Sequence, residues 1–487
     1  MFSFIISIVA LVIGYLAYGR FVEKVFGPDP SRVTPAVSKA DGVDFVPMPA
    51  WRVYMIQFLN IAGTGPIFGA IMGAKFGPSS YLWIVLGCIF AGAVHDYFCG
   101  MLSMRHGGAS LPDIVGSELG RTTKWFVLVF TVLLLMLVGA VFVFSPAQIL
   151  SDLTAGGSSS STLIWVAVIF VYYAIATLLP IDKLIGKVYP LFAFSLLFMA
   201  FALMIGLFVK WPSIPEVWQG LGNRGPSIGL NGQSIFPCLF ITIACGALSG
   251  FHATQSPMMA RCLKNEKLGR PIFYGAMITE GIVALIWAAV ASYFFFDGGA
   301  AEVGSTIKAS APQVVTSVSR SWLGVFGGIL AILGVVAAPI TSGDTALRSA
   351  RLIFADMTGI AQDNKVKRLG LALPIFVLVA LLLVYNVADE DGFNNIWKYF
   401  GWANQTLAAF MLWTITVYLA RTKRGCYYLI GLLPACLMVA VTLSFICTQP
   451  IGLRMPASFT PYIALGSGIL CLVLFYCWYY GRAKKLK

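Results

Sequence analysis

The chain has 487 residues, of which 59% are hydrophobic and only 11% charged, with a mean hydropathy of +0.84. A soluble domain carries about a quarter charged residues, so this composition excludes one and implies an all-α, polytopic membrane protein. The net charge of +13 does not signal nucleic-acid binding, because the cations collect in short segments between apolar runs.

In chain order the apolar runs predict about thirteen spans, at 2–19, 53–74, 81–102, 125–150, 162–180, 190–209, 236–260, 273–296, 323–343, 370–386, 395–420, 427–447 and 461–480. The first run is followed, not preceded, by basic residues (Arg20 and Lys24) and reads as a retained span rather than a cleaved leader. With the N-terminus outside, the inward segments hold 26 of the 33 Lys and Arg. That is the positive-inside pattern, and it places the C-terminus in the cytoplasm. Three connections are long: the charged, Pro-rich inward 20–52, and the outward 210–235 and 297–322, both expected to fold back over a vestibule. The Ser/Gly-rich 151–161 reads as a flexible outer turn. The ten cysteines contain no CxxC pair and suggest packing, with no disulfide framework or zinc site. No phosphate-binding GxxxxGK[ST] loop occurs, so ATP is not the expected energy source.

Two spans carry glycines, hydroxyls and a proline where a helix should be regular. The second reads Gln57-Phe58-Leu59-Asn60-Ile61-Ala62-Gly63-Thr64-Gly65-Pro66, and the seventh runs from Ala244 to Pro257 through Gly246, Ser249, Gly250 and His252. Unwound backbone at membrane depth is tolerated only where it lines a cavity or is buried in protein. Such interruptions at matching places in two halves point to a transporter binding site. The breaks lie five spans apart, an odd number, so they cross in opposite directions. Two inverted repeats of five spans follow, 53–209 and 236–420, with 1–19 and 427–480 as accessory spans. The competing reading is tight helix packing through small residues.

A broken span exposes N–H groups at one half-helix end and carbonyls at the other. The amides around Gly63, Thr64 and Gly65 suit a carboxylate, and carbonyls from Asn60 to Ala62 suit a cation or an ammonium. His95, Asp96, His252 and Glu280 are ionisable groups inside spans, costly there and usually functional. A proton relay would explain them together. Alternatively, Asp96 fixes a neighbouring histidine or Arg105, and Glu280 pairs with an inner-loop arginine. Asn404 and Gln405 offer two amides in the eleventh span for a substrate or a gate, beside Trp397, read as a membrane-edge anchor.

Asn60–Pro66, Ala91-Gly92-Ala93-Val94-His95-Asp96-Tyr97, Cys245–Ala253, Phe400–Ala408 and the opening Asp41–Pro47 look like the carbon starvation protein A family. The resemblance runs through nearly the whole chain. It implies an inner-membrane transporter of small peptides, or of pyruvate in some members, associated with carbon starvation and built on the LeuT-type inverted repeat. In that fold the core helix matching the ninth span often supplies hydroxyls for a coupling sodium. This places Thr341, Ser342 and Thr345 as sodium candidates, with protons favoured over sodium and no other cofactor implied. Asp344 with Arg348 reads equally as a surface i,i+4 pair. The chain departs from the long members in having Gln57-Phe58 where they carry a His-His pair, and His95 where they have Gln. It resembles a short-form branch. A membrane-embedded enzyme or a sensor is the reading from another class, although no HExxH, GxSxG or paired-acid signature occurs.

Overall fold

The computed structural model describes residues 1–42, 44–155, 158–177, 181–229, 233–360, 365–389 and 392–485. Val43 in the family-like opening, part of the 151–161 turn, part of 210–235 and the end of the 162–180 span lie outside the described residues. The described residues form helices and turns, with no strand among them.

Each expected span falls on a helix or a broken pair. By length and hydropathy, nine helices among the described residues can cross a membrane. The pair Ala50–Ile61 and Gly65–Ala74, bent by 52°, can count as a tenth. The seventh interval holds Ile235–Thr242 and His252–Ala260, separated by residues 243–251. The ninth and eleventh lie in Ala311–Thr358 and Gly392–Thr422. Burial separates core from periphery. The third and eighth spans, in Ser79–Arg105 and Glu266–Phe296, are 83% and 89% buried, whereas the last, in Ala457–Gly481, is 6% buried. A helix with so little protein contact offers its apolar side chains to lipid.

Within 297–322 the ninth helix starts earlier than expected. The segment contains the short helix Gly299–Glu302, and the ninth helix already begins at Ala311, behind a Ser310–Gln313 capping box. Reciprocal capping satisfies orphan amides and starts a helix early. Regular geometry is interrupted at Gly324, whose φ of 66° and ψ of −170° are open chiefly to glycine. The expected start at 323 coincides with that interruption.

The charged, Pro-rich 20–52 connection is anchored to the core. The helix Tyr18–Phe26 ends at Gly27 in the left-handed region. Arg105 then lies over the Phe26 ring at 4.0 Å, donates to Gly27 O at 2.7 Å and pairs with the buried Glu266 at 3.2 Å. Opposite it, Glu216 accepts from the Phe2 and Ser3 amides at 3.0 and 2.7 Å and pairs with the amino terminus, which caps the first helix.

Close backbone approach builds the centre. A Cβ on Gly92 would sit 2.3 Å from Ala247 O, and one on Gly250 2.2 Å from Asn404 O. Without glycine at these positions the third and eleventh spans could not touch the unwound stretch of the seventh.

Candidate functional site

The two breaks meet each other. A Cβ on Gly65 would fall 2.2 Å from Cys245 Cβ, and Gly246, at φ +92°, faces Pro66 and Ala284. Gly63 lies under Phe142, which its Cβ would meet at 2.7 Å. Asn60, Thr64, Ser249, His252, Asn404 and Gln405 are all fully buried. The glycines of the breaks therefore serve close packing, since a Cβ on Gly63 would overlap Phe142 and one on Gly65 would overlap Cys245.

Side chains from other spans satisfy the backbone groups that unwinding releases, as a buried chain requires. Ser342 Oγ donates to Leu59 O at 3.0 Å at the first break. At the second, Trp83 Nε1 donates to Ile243 O at 2.8 Å and Gln405 Nε2 to Phe240 O at 2.7 Å. Asn404 Oδ1 accepts from the Phe251 amide at 2.6 Å and from Ser249 Oγ at 3.1 Å. The ninth span thus supports the first break and the eleventh supports the second. Thr341 and Thr345 hydroxyls return to carbonyls one turn back in their own helix, and Thr345 Oγ1 also lies 3.4 Å from Asn60 Oδ1.

The ionisable residues form one buried chain. His95 Nδ1 and His252 Nδ1 lie 2.8 and 2.9 Å from the two oxygens of Asp96, and His252 Nε2 lies 3.5 Å from Glu280. Asp96 thus fixes both histidines, while Arg105 turns to Glu266. No arginine pairs with Glu280 among the described residues. Its oxygens meet no hydrogen-bond geometry and face His252 and the Gly246 backbone. Two carboxylates held this close in a buried cluster demand compensating positive charge or protons.

A second buried set flanks the first break: Gln57 and Asn60 stand three apart on the half-helix Ala50–Ile61, and Thr64 follows the unwound residues. Gln57 Oε1, Asn60 Nδ2 and Thr64 Oγ1 are buried without hydrogen-bond partners among the described residues, while Gln57 Nε2 reaches Ser256 Oγ at 3.1 Å. Each such group costs about 1–3 kcal/mol, a cost that a ligand could offset.

Three expectations change. Asp344 and Arg348 are buried, not a surface pair; Tyr189 OH donates to Asp344 Oδ2 at 2.7 Å and Arg348 to Ala176 O at 2.9 Å. Trp397 is 7% exposed and packs on Phe68, Phe393 and Phe400, so it is core rather than a membrane-edge anchor. Cys245, read as mere packing, lies within the site, with its thiol 3.3 Å from Ser249 Oγ and within 4.8 Å of ligating atoms of His252 and Glu280. Gln57 and Ser256 were not singled out as site residues. Their burial beside a break is a tertiary property, and an isolated Gln at a helix end carries no signal of it.

Two broken helices that meet at their breaks, with polar side chains serving both, define a multi-pass membrane transporter of the LeuT type. Solved structures share the fold: a manganese transporter from Eremococcus coleocola (TM-score 0.61, 12% identity, 92% of this chain and 99% of that one) and a Na+-coupled sialic acid symporter (TM-score 0.54, 12% identity, 96% of each). The family description Carbon starvation protein CstA matches residues 1–167, 158–322 and 320–445. The chain belongs to that family. Its relatives include an uncharacterized membrane protein of Haemophilus influenzae (48% identity over 339 residues, 61% of this chain and 91% of that one). Two more come from Escherichia coli K12: peptide transporter CstA (27% identity, 90% of this chain and 79% of that one) and pyruvate/proton symporter BtsT (26% identity, 92% and 81%).

Proposed function

We propose that this chain is a secondary active transporter that imports small peptides across the cytoplasmic membrane during carbon starvation, driven by protons. Its N-terminus lies outside and its C-terminus in the cytoplasm. Thirteen spans comprise the repeats 53–209 and 236–420, flanked by accessory spans at 1–19 and 427–480. The observation that carries the reading is the contact of the two breaks at Gly65 and Cys245, with unpaired buried polar atoms at Gln57, Asn60 and Thr64 beside it. Substrate binds along Asn60, Gly63, Thr64, Gly65, Gly246, Ser249, Gly250, His252, Asn404 and Gln405 when the packed breaks part. Half-helix amides take its carboxylate, and the free amide groups take peptide donors and acceptors.

Protons are favoured over sodium because Asp96 is hydrogen-bonded to His252 and Glu280 lies 3.5 Å from the other ring nitrogen of His252, with Glu280 the group left to gain or lose the proton. Sodium at Thr341, Ser342 and Thr345 is the other coupling reading, supported by the proximity of those hydroxyls to Leu59 O and Asn60. Pyruvate or another small carboxylate is the second substrate reading, supported by the pyruvate/proton symporter among the relatives. No further cofactor enters the cycle.

Proteoliposome uptake of labelled dialanine and pyruvate, under imposed pH or sodium gradients, tests the proposal. Asp96→Asn removes charge-assisted hydrogen bonds of about 1.5–3 kcal/mol each, roughly 10- to 150-fold in the equilibrium that loads the proton. It should lose pH-driven accumulation while retaining exchange at equal concentrations. Accumulation that follows sodium at constant pH, with Asp96→Asn transporting normally, overturns proton coupling. Binding without flux would mark a sensor, and chemical conversion of the substrate an enzyme.

A further inference from the structure

Beyond the breaks, on the side reached by the half-helices Gly65–Ala74 and Ile235–Thr242, lies a cavity of about 210 Å³ lined by Met72, Lys75, Phe76, Asn223, Gln233 and Thr242. The two half-helices cross beneath it: a Cβ on Gly69 would meet Thr242 O at 2.8 Å, and one on Gly73 would meet Ile243 at 2.3 Å. The 223–225 turn roofs it and is built to stay there. Asn223 Nδ2 donates to Gln233 O at 2.6 Å, Asn223 Oδ1 accepts from the Gly225 amide at 2.8 Å, and the Arg224 amide reaches Phe76 O at 3.3 Å.

Lys75 is the only charged side chain among these lining residues. It is half-buried, its ammonium lies 5.0 Å from the centre of the Phe295 ring, and burial pushes it below its ordinary value. No acid pairs with it among the described residues. Three acids of the 210–235 and 297–322 connections are engaged elsewhere: Glu302 with Lys210 and Tyr293, Asp297 with the Ser213 amide, and Glu216 with the amino terminus. A partly desolvated ammonium without a counter-charge, beside fixed amides in a cavity, is suited to a carboxylate.

We propose that this cavity is an outer docking site for the substrate's carboxylate, with Lys75 as its counter-charge, filled before the substrate reaches the breaks. The inference rests on the transport reading and its orientation. Peptides and keto acids share the carboxylate, so both probes are used. In proteoliposomes, Lys75→Gln should raise KM for whichever of dialanine or pyruvate is transported by about tenfold, with kcat within about twofold, and Lys75→Arg should restore it. Raising ionic strength should weaken uptake by the wild type and leave Lys75→Gln nearly unaffected. A KM unchanged by Lys75→Gln, or a loss confined to kcat, overturns the site.

A second measurement needs no transport. Acylation of Lys75 in the detergent-purified chain, followed by mass spectrometry, should be slowed by dialanine or pyruvate and not by dialanine amide. Protection without uptake of either probe supports docking while sinking the transport reading. Uptake with neither protection nor a KM effect overturns docking alone.

Discussion

If the two breaks support one another, Gly65 and Cys245 should be energetically coupled. An alanine at 65 puts its Cβ 2.2 Å from Cys245 Cβ and 2.4 Å from its Sγ, with the Cys245 Cα at 3.6 Å. These contacts are more than 1 Å too close for carbon or sulfur neighbours. Overpacking of this kind costs about 1–3 kcal/mol. Cys245→Gly removes both offending atoms. Alone it should be mildly destabilising, by about 0.5–1 kcal/mol for the freer backbone, together with the lost thiol contact to Ser249 at 3.3 Å. The pair should therefore recover about 1–2 kcal/mol relative to the sum of the single variants. Thermal unfolding of the detergent-purified protein gives the ranking, with differences of a few degrees expected for a chain of this size. Dialanine uptake by the same four proteins gives a second reading of the same cycle. A double variant whose loss equals the sum of the singles would refute direct packing between the breaks.

Two further predictions concern topology and pH. In a background lacking the ten native cysteines, a cysteine at Lys264 should resist membrane-impermeant labelling of intact cells, whereas one at Ser159 should react; labelling at 264 would overturn the thirteen-span orientation. Glu216, in the connection after the sixth span, titrates as part of the cap on the first helix. Burial raises its carboxyl, but hydrogen bonds from the amino terminus and Ser3 outweigh burial and hold it below its ordinary value of 4.5. A carboxyl lowered by folding stabilises above that ordinary value and loses its contribution as pH falls through the folded one. Wild-type melting temperature should accordingly drop more steeply below about pH 4.5 than that of Glu216→Gln, and parallel curves would count against the cap.

By itself the sequence determined the membrane setting, the all-helical class and the location of the breaks. Apolar runs and the Gly/Pro interruptions at 63–66 and 244–257 are local or compositional signals, and bilayer physics leaves few ways to satisfy them. The one clear loss at this level was the 297–322 connection, where the Ser310–Gln313 cap starts a helix that hydropathy places later. Tertiary structure alone decided the partners. No spacing in the chain tells that Asp96 meets His252 and not Arg105, that Trp397 is interior, or that Asp344 and Arg348 leave the surface. Nor does it tell that Gln405 and Ser342 are spent on carbonyls of the breaks, or that Lys75 has no acid paired with it among the described residues. These facts depend on which helices lie next to one another, and the packing of small residues at Gly65, Gly92 and Gly250 sets that arrangement, bringing together groups more than 150 positions apart.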